Sequence, residues 1–285
     1  MSCETTKNNL GIDRCNNLPA LIRTMITTPE DFTATAEQLA SQTFWQDAIK
    51  DGIADRIYLW PEFDTFEDVS EDAVYEDTPL AYLFVRDGNY RFRFGIAKSM
   101  CLHKDMFTHR SNGGRAFLFD KKNQLVGTID SSGNYKGFGI QLLHTEKLMF
   151  SDGTVASKSP IMLALRDNLE LDQNGFTTTA SFINDLIRLT DVTVTVVSAA
   201  SDSLVVSVAI TCDGTPVNGL VAADFSVLTG AGATQAIGSV SEADGTYTIT
   251  PSTSFASGTV ALVTPEDLSI DAYDGTTAAT VTIGS

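Results

Sequence analysis

The residues best suited to metal chemistry are two histidines that lie close to a cysteine in the sequence. Cys101, His103 and His109 fall within nine positions, and His144 is the only other histidine. Cysteine and histidine are the side chains that zinc takes, but a structural site needs a second ligand pair at a characteristic spacing. No such pair follows. We therefore predict no metal site here and no cofactor for the chain.

Nucleophilic and nucleotide chemistry lack their usual signatures. The sequence contains no Gly-x-Ser-x-Gly elbow. It also lacks the phosphate-binding patterns Gly-x-x-x-x-Gly-Lys-Ser/Thr and Gly-x-Gly-x-x-Gly. Composition alone leaves a Ser-His-Asp arrangement open. Gly137 and Gly139 fall inside a strand pattern, where glycine is expected to mark a bulge or bend.

Residues 62–77 hold eight acidic side chains and no basic one. Clustered carboxylates suggest calcium, but the turn glycine of an Asp-x-Asp-x-Asp-Gly loop is missing. Glycoside cleavage needs two carboxyl groups at a fixed separation, which a flexible loop cannot hold. The segment is therefore predicted to be a solvated acidic loop. We predict no catalytic residues and no enzymatic activity.

Residues 86–122 have the opposite charge, with nine Lys or Arg against three Asp. Aromatic residues interleave with these cations, as in nucleic-acid-binding segments: Phe92, Phe94, Phe107 and Phe117. Alternation instead predicts that the phenylalanines are buried, and the whole chain carries a net charge of −17. Such a protein is repelled by phosphates and by anionic membranes. We expect neither sequence-specific nucleic acid nor membrane as a partner.

The totals favour two domains in 285 residues. Residues 191–285 contain ten acids and no Lys or Arg, so they contribute −10, and the first 190 residues contribute −7. No apolar stretch is long enough for a membrane-spanning helix, and residues 1–7 do not resemble a secretory signal. Synthesis in the cytoplasm is expected. The four cysteines lack a framework spacing and are expected to be reduced, with pairing of Cys3 and Cys15 left open.

The elements that position these residues are mainly strands. A helix is expected between Ala34 and Lys50, followed by a strand at 56–60 and a hairpin of 81–85 with 90–94. Further strands are expected at 115–120, 124–130, 135–143, 145–150 and 160–171. Residues 30–190 are thus predicted to be an antiparallel β-sandwich or barrel with one flanking helix. Residues 1–29 are expected to form an N-terminal arm whose apolar strip, 18–26, docks on a neighbour or packs back on its own domain.

The last third of the chain alternates apolar and polar residues in short β-prone runs. Seven strands are predicted, at 192–198, 204–212, 224–228, 235–240, 246–250, 258–263 and 279–283. Val192, Val194 and Val196 fall on one face of the first run, and Thr193 and Thr195 fall on the other. Seven strands in some ninety-five residues favour a β-sandwich of immunoglobulin size.

Two segments resemble known families. Asp213–Gly219 and Asp244–Ile249 resemble turns and strands of bacterial immunoglobulin-like modules. Val74–Gly95 resembles a segment of structural proteins of tailed bacteriophages. Together the layout is similar to tail tube proteins, which implies a homo-oligomer of hexameric rings, other virion proteins as partners, and a location in the virion. The immunoglobulin-like domain, 191–285, would be an outward decoration.

In such an assembly the acidic and basic segments are expected to meet across subunits. The predicted contact residues are Glu67, Asp68, Glu71, Asp72, Arg91, Arg93 and Lys98. Two alternatives remain open at this point. One is a capsid decoration or neck protein, and the other is a surface adhesin module that binds glycans weakly through 191–285.

Overall fold

The computed structural model describes residues 19–78, 81–111, 113–269 and 273–283. It is mainly β, with 44% strand and 13% helix, as predicted. Within the described residues there are two compact units. The first holds 19–48 and 53–186, and the second holds 49–52 and 187–283.

The elements up to residue 186 are β1 (Ile22–Thr28), α1 (Ala36–Leu39), α2 (Gln42–Lys50), β2 (Tyr58–Leu59), β3 (Thr65–Asp68), β4 (Val74–Thr78), β5 (Ala81–Arg86), β6 (Arg91–Ile96), α3 (Met100–Thr108), β7 (Arg115–Asp120), β8 (Gln124–Ile129), β9 (Tyr135–Lys136), β10 (Phe138–Thr145), β11 (Ser159–Leu165), α4 (Leu169–Asp172) and β12 (Gly175–Thr179). A short 3₁₀ helix, Ser181–Asn184, follows.

Most of these strands form one antiparallel sheet that curves into a half-barrel. Its order is β12-β8-β7-β10-β11-β6-β3, with β1 paired to β7 and β2, and β9 paired to β8. The strip 19–26 therefore packs back on its own unit, because β1 lies along the whole of β7. Within the described residues β3 pairs on one side only, with β6, and β12 pairs on one side only, with β8.

The concave core is aromatic and aliphatic. Phe92, Phe94 and Phe117 are buried, as alternation predicted, whereas Phe107 is partly exposed. Gly137 lies between β9, which pairs with β8, and β10, which pairs with β7. A side chain there would stand 2.8 Å from the Ala116 nitrogen, so the close approach requires glycine. The glycine expected to mark a bulge or bend thus lies at an interruption between two strands.

Several predicted elements differ from the structure. The expected helix between Ala34 and Lys50 is split into α1 and α2 because Thr35 and Ser41 each cap a new helical start. α3 was not predicted, although Ser99 caps it by accepting from the Leu102 amide. Residues 145–150 are not a strand but contain the single bridge Met149–Lys158, and the strand expected at 160–171 ends at Leu165.

The predicted hairpin of strands 81–85 and 90–94 is also wrong. β5 pairs with β4, whereas β6 pairs with β3 and β11. The acidic segment 62–77 is consequently not a loop, because it contains β3 and β4. Its charges remain solvated since β3 lies at the end of the sheet and β4 lies in an exposed hairpin.

The second unit contains β13 (Thr190–Ala199), β14 (Leu204–Ile210), β15 (Phe225–Thr229), β16 (Ile237–Ala243), β17 (Thr246–Pro251), β18 (Gly258–Leu262), β19 (Tyr273–Asp274) and β20 (Ala279–Val281). Two sheets, β16-β17-β14-β13-β19 and β15-β18-β20, enclose its core. Val192, Val194, Val206 and Val208 point inward, as their alternation predicted. The Tyr247 hydroxyl is buried and donates to the Val217 carbonyl at 2.6 Å.

The cysteines contradict the expectation of reduced thiols. Cys101 and Cys212 are each disulfide-bonded, whereas Cys3 and Cys15 lie outside the described residues. Sequence spacing failed here because pairing depends on the distance between residues in the fold. Among the described residues, no helix is both long enough and apolar enough to cross a bilayer.

Candidate assembly surfaces

The hairpin of β4 and β5 forms a two-stranded sheet of its own and carries a cluster of exposed apolar side chains. Its large apolar side chains are 37–57% exposed and comprise Val74, Tyr75, Leu83, Phe84 and Val85. A two-stranded hairpin is marginally stable in water unless its side chains pack against something. This hairpin therefore has an apolar surface that its own unit leaves uncovered.

Both faces of the hairpin contribute to this surface. Tyr75 lies opposite Phe84 on one face, with ring centroids 5.8 Å apart. Leu83 lies opposite Glu76, and successive side chains in a strand point to opposite faces. Leu83 and Phe84 are adjacent in β5 and both are exposed. A partner could therefore pack on either side.

The base of the hairpin is anchored to the main sheet. Glu71 binds Arg91 at 2.9 Å and Arg86 at 3.3 Å. Asn168, next to α4, donates to the Gly88 carbonyl and accepts from the Tyr90 amide. A side chain at Gly88 would overlap the Glu71 backbone, so the two ends of the hairpin approach closely. The hairpin is thus held at its base while its outer part carries the exposed apolar groups.

Four carboxylates of the hairpin segment have no ion-pair partner among the described residues: Asp72, Glu76, Asp77 and Asp87. Tyr75 and Phe84 lie among these acids. The surface therefore combines uncovered apolar groups with unneutralised negative charge.

Strand register places a different surface at the other end of the sheet. The hairpin joins Asp68 of β3 to Arg91 of β6. β6 ends at Ile96, which lies opposite Ser159 at the start of β11, and β10 ends close by at Thr145. Residues 97–110 and 146–158 follow these strand ends. We refer to these two segments as the basic end.

The basic end carries cations without acidic partners among the described residues: Lys98, Lys104, Arg110, Lys147 and Lys158. Exposed apolar side chains lie between them, including Met100 and Phe150, which is 79% exposed. The same segments contain three acids, Asp105, Glu146 and Asp152; Glu146 pairs with Arg93, and Asp152 accepts from the Thr154 and Val155 amides. The basic end therefore complements the hairpin in charge and matches it in apolar character.

The predicted contact residues divide into two groups. Glu71 and Arg91 pair within one chain, and Arg93 pairs with Glu146 through its Nε at 3.1 Å. Glu67 and Asp68 lie on β3, at the end of the sheet, and have no ion-pair partner among the described residues. Asp72 lies beside the hairpin and Lys98 at the basic end. The hypothesis of contacts between subunits is thus retained for the unpaired residues.

Catalytic and metal chemistry gain no support from the geometry. The His103 Nδ1 lies 2.9 Å from the Ser159 hydroxyl, and both residues are buried. No described carboxylate hydrogen-bonds this histidine, so a Ser-His-Asp arrangement is not formed there. In the described ranges no three potential metal ligands lie together.

Sequence reasoning missed β4, and with it the assignment of the exposed hairpin. The missed signal is Thr78-Pro79, a turn-forming pair between two β-prone runs. The pattern Arg86-Asp87-Gly88-Asn89 is the stronger turn signature. These residues, however, connect β5 to β6 at the base of the β4–β5 hairpin.

Comparison with known proteins adds no relative. No family model and no curated protein matches the sequence.

Proposed function

We propose that the chain is a self-assembling structural protein of a tailed-bacteriophage virion, a tail tube subunit that forms rings. The second unit is then a decoration carried by the assembly. The observation that supports this most strongly is the anchored hairpin, whose Tyr75 and Phe84 are about half exposed. Exposed apolar surface of this kind marks an interaction site in natural proteins.

The proposed occupant of the hairpin surface is a second copy of the chain. Its unpaired acids complement the unpaired lysines of the basic end, which lies at the opposite ends of the same strands. Two unlike surfaces on one subunit give head-to-tail contacts, which produce rings or continuing stacks. A tube requires contacts of this type.

The main sheet favours lateral assembly as well. β3 and β12 each pair on one side only in the described part of the chain. Open strand edges are usually covered or paired in stable proteins. Neighbouring copies could cover them in a ring.

Negative-stain electron microscopy and sedimentation velocity of the purified full-length chain test the proposal. Rings or tubes are expected. A chain that stays monomeric at every concentration examined would reject it. Rings that never stack would instead favour the capsid decoration or neck alternative, and glycan binding without assembly would favour the adhesin alternative.

A further inference from the structure

A cavity of about 490 Å³ lies beside residues 108–110 of the basic end. Its walls come from the end of β1, from residues 53–58 that lead into β2, and from residues 108–114 after α3. The β1 end is fixed by the pair Thr28–Arg115, and Ser111 pairs with Leu143 of β10. The cavity is therefore built by several strands of the first unit.

Basic side chains line this cavity although the protein is acidic. Arg56 and Arg110 both line it, together with Glu30. Glu30 is already neutralised, because Arg166 binds both of its carboxylate oxygens at 2.9–3.0 Å and Arg115 lies at 3.3 Å. The hydrogen bond from Arg166 also keeps the pKa of Glu30 below its usual value.

Arg110 is held in place without an acidic partner. Its guanidinium donates to the Thr145 carbonyl and lies 3.7 Å from the centre of the Phe107 ring. No carboxylate of the described residues lies within ion-pair distance. A guanidinium fixed in this way keeps donors for a carboxylate, which it can bind through two parallel hydrogen bonds.

The other residues that line the cavity favour binding of a protein side chain over binding of a small free ion. Ile53, Tyr58, Ile140 and Leu143 line the cavity, and Ile53 is 71% exposed. Cavities of this size hold ligands far larger than a single phosphate and are usually lined by apolar groups around a few polar ones. The cavity therefore suits a carboxylate that is presented beside apolar residues.

We propose that this cavity binds a carboxylate of a second copy of the chain, with Arg110 as the main ligand and Glu76 or Asp77 of the β4–β5 hairpin as the source. This inference rests on the proposed function. It assigns the acceptor site for the hairpin and the residue that determines its charge preference.

Charge exchange tests the inference in the full-length chain. The variant Arg110→Glu should weaken association at least tenfold at low salt, as sedimentation measures it, whereas Lys121→Glu should change it much less. Lys121 is an exposed lysine after β7, away from the cavity. The triple variant R110E/E76K/D77K should recover most of the association, because it restores opposite charges.

Two outcomes would overturn the inference while leaving self-assembly intact. In the first, Arg110→Glu associates as well as Lys121→Glu, so the cavity is not the acceptor. In the second, the triple variant stays as weak as Arg110→Glu, so the carboxylate does not come from the hairpin. Unchanged thermal unfolding of each variant would show that the loss is not misfolding. Absence of association in the wild-type chain would instead reject the proposed function.

Discussion

Tyr75 and Phe84 face each other across the β4–β5 hairpin with their ring centroids 5.8 Å apart, in an edge-on arrangement. Aromatic pairs in this geometry normally form part of a packed core. Here both rings are about half exposed, and no other strand of the described residues pairs with the hairpin. The pair gives the hairpin a defined surface before any partner binds.

Replacing one of these rings should weaken association without unfolding the subunit. We expect Phe84→Ser to change the free energy of unfolding by no more than about 0.5 kcal/mol, since exposed positions contribute little to folding. Association should weaken by about tenfold or more, as for a central apolar contact. Sedimentation velocity measures the second effect and chemical denaturation the first.

The matched control is Val197→Ser in the second unit, where the valine is also exposed. Equal effects of Phe84→Ser and Val197→Ser on association would mean that general surface hydrophobicity drives it, not the hairpin.

Salt should weaken the assembly. The unpaired acids of the hairpin and the unpaired lysines of the basic end are partly or fully exposed to solvent. The screening length falls from about 8 Å at physiological ionic strength to about 3 Å at 1 M. Light scattering across a sodium chloride series is the measurement. Stronger association at high salt would show that apolar contact dominates and that charge complementarity has no part.

Asp130 should stabilise the first unit in a pH-dependent manner. Its carboxylate binds Lys136 at 2.9 Å and accepts from the Ser132 and Asn134 amides, and these bonds lower its pKa to about 2. A depressed pKa adds stability above the unfolded value near 3.8, and this stability is lost as pH falls toward 2.

The variant Asp130→Asn should therefore lower the free energy of unfolding by about 1 kcal/mol at neutral pH, after solvent screening is allowed for. Denaturation at several pH values should show the difference from wild type narrowing below pH 4. The exposed Asp31→Asn serves as control. A deficit that stays constant down to pH 2 would contradict the assignment.

Asp224 should be essential for the second unit. It is fully buried and accepts from the Val221 amide, the Ser269 amide and the Ser269 hydroxyl at 2.6–2.7 Å. Asp224→Ala leaves these donors unpaired, which should cost about 2–4 kcal/mol.

Calorimetry should show this loss in the transition of the second unit, while that of the first unit is unchanged. Glu266→Ala, an exposed acid of the same unit, should have little effect. A shift of both transitions by equal amounts would mean that the two units unfold together.

Sequence alternation predicted the strands of the second unit well because one face of each strand is buried there. All seven predicted runs overlap strands β13 to β18 and β20. Among the strands of the described residues in this unit, the two-residue β19 was missed. For example, Ser207 lies between Val206 and Val208, and both valines are buried. Thr248 likewise lies between Tyr247 and Ile249, which are both buried. The two-residue repeat of the sequence therefore matches the pattern of burial.

The strand pairing of the first unit was harder to predict, because a turn signature indicated that β5 pairs with β6. Asp87-Gly88 predicted a tight hairpin, but Gly88 instead allows the base of the β4–β5 hairpin to close against Glu71. The cavity was also not predictable. Arg56 and Tyr58 are distant in sequence from Arg110, and all three line one cavity because β2 pairs with β1 and Ser111 pairs with β10.

The proposed pairing of two unlike surfaces, the hairpin of one copy and the cavity of the next, has a consequence for growth. A stack built through these contacts would be polar, with projecting hairpins at one terminus and open cavities at the other. A protein that initiates such a filament must recognise one terminus, and a protein that stops elongation must recognise the other. Nucleation and termination would therefore require chemically different partners.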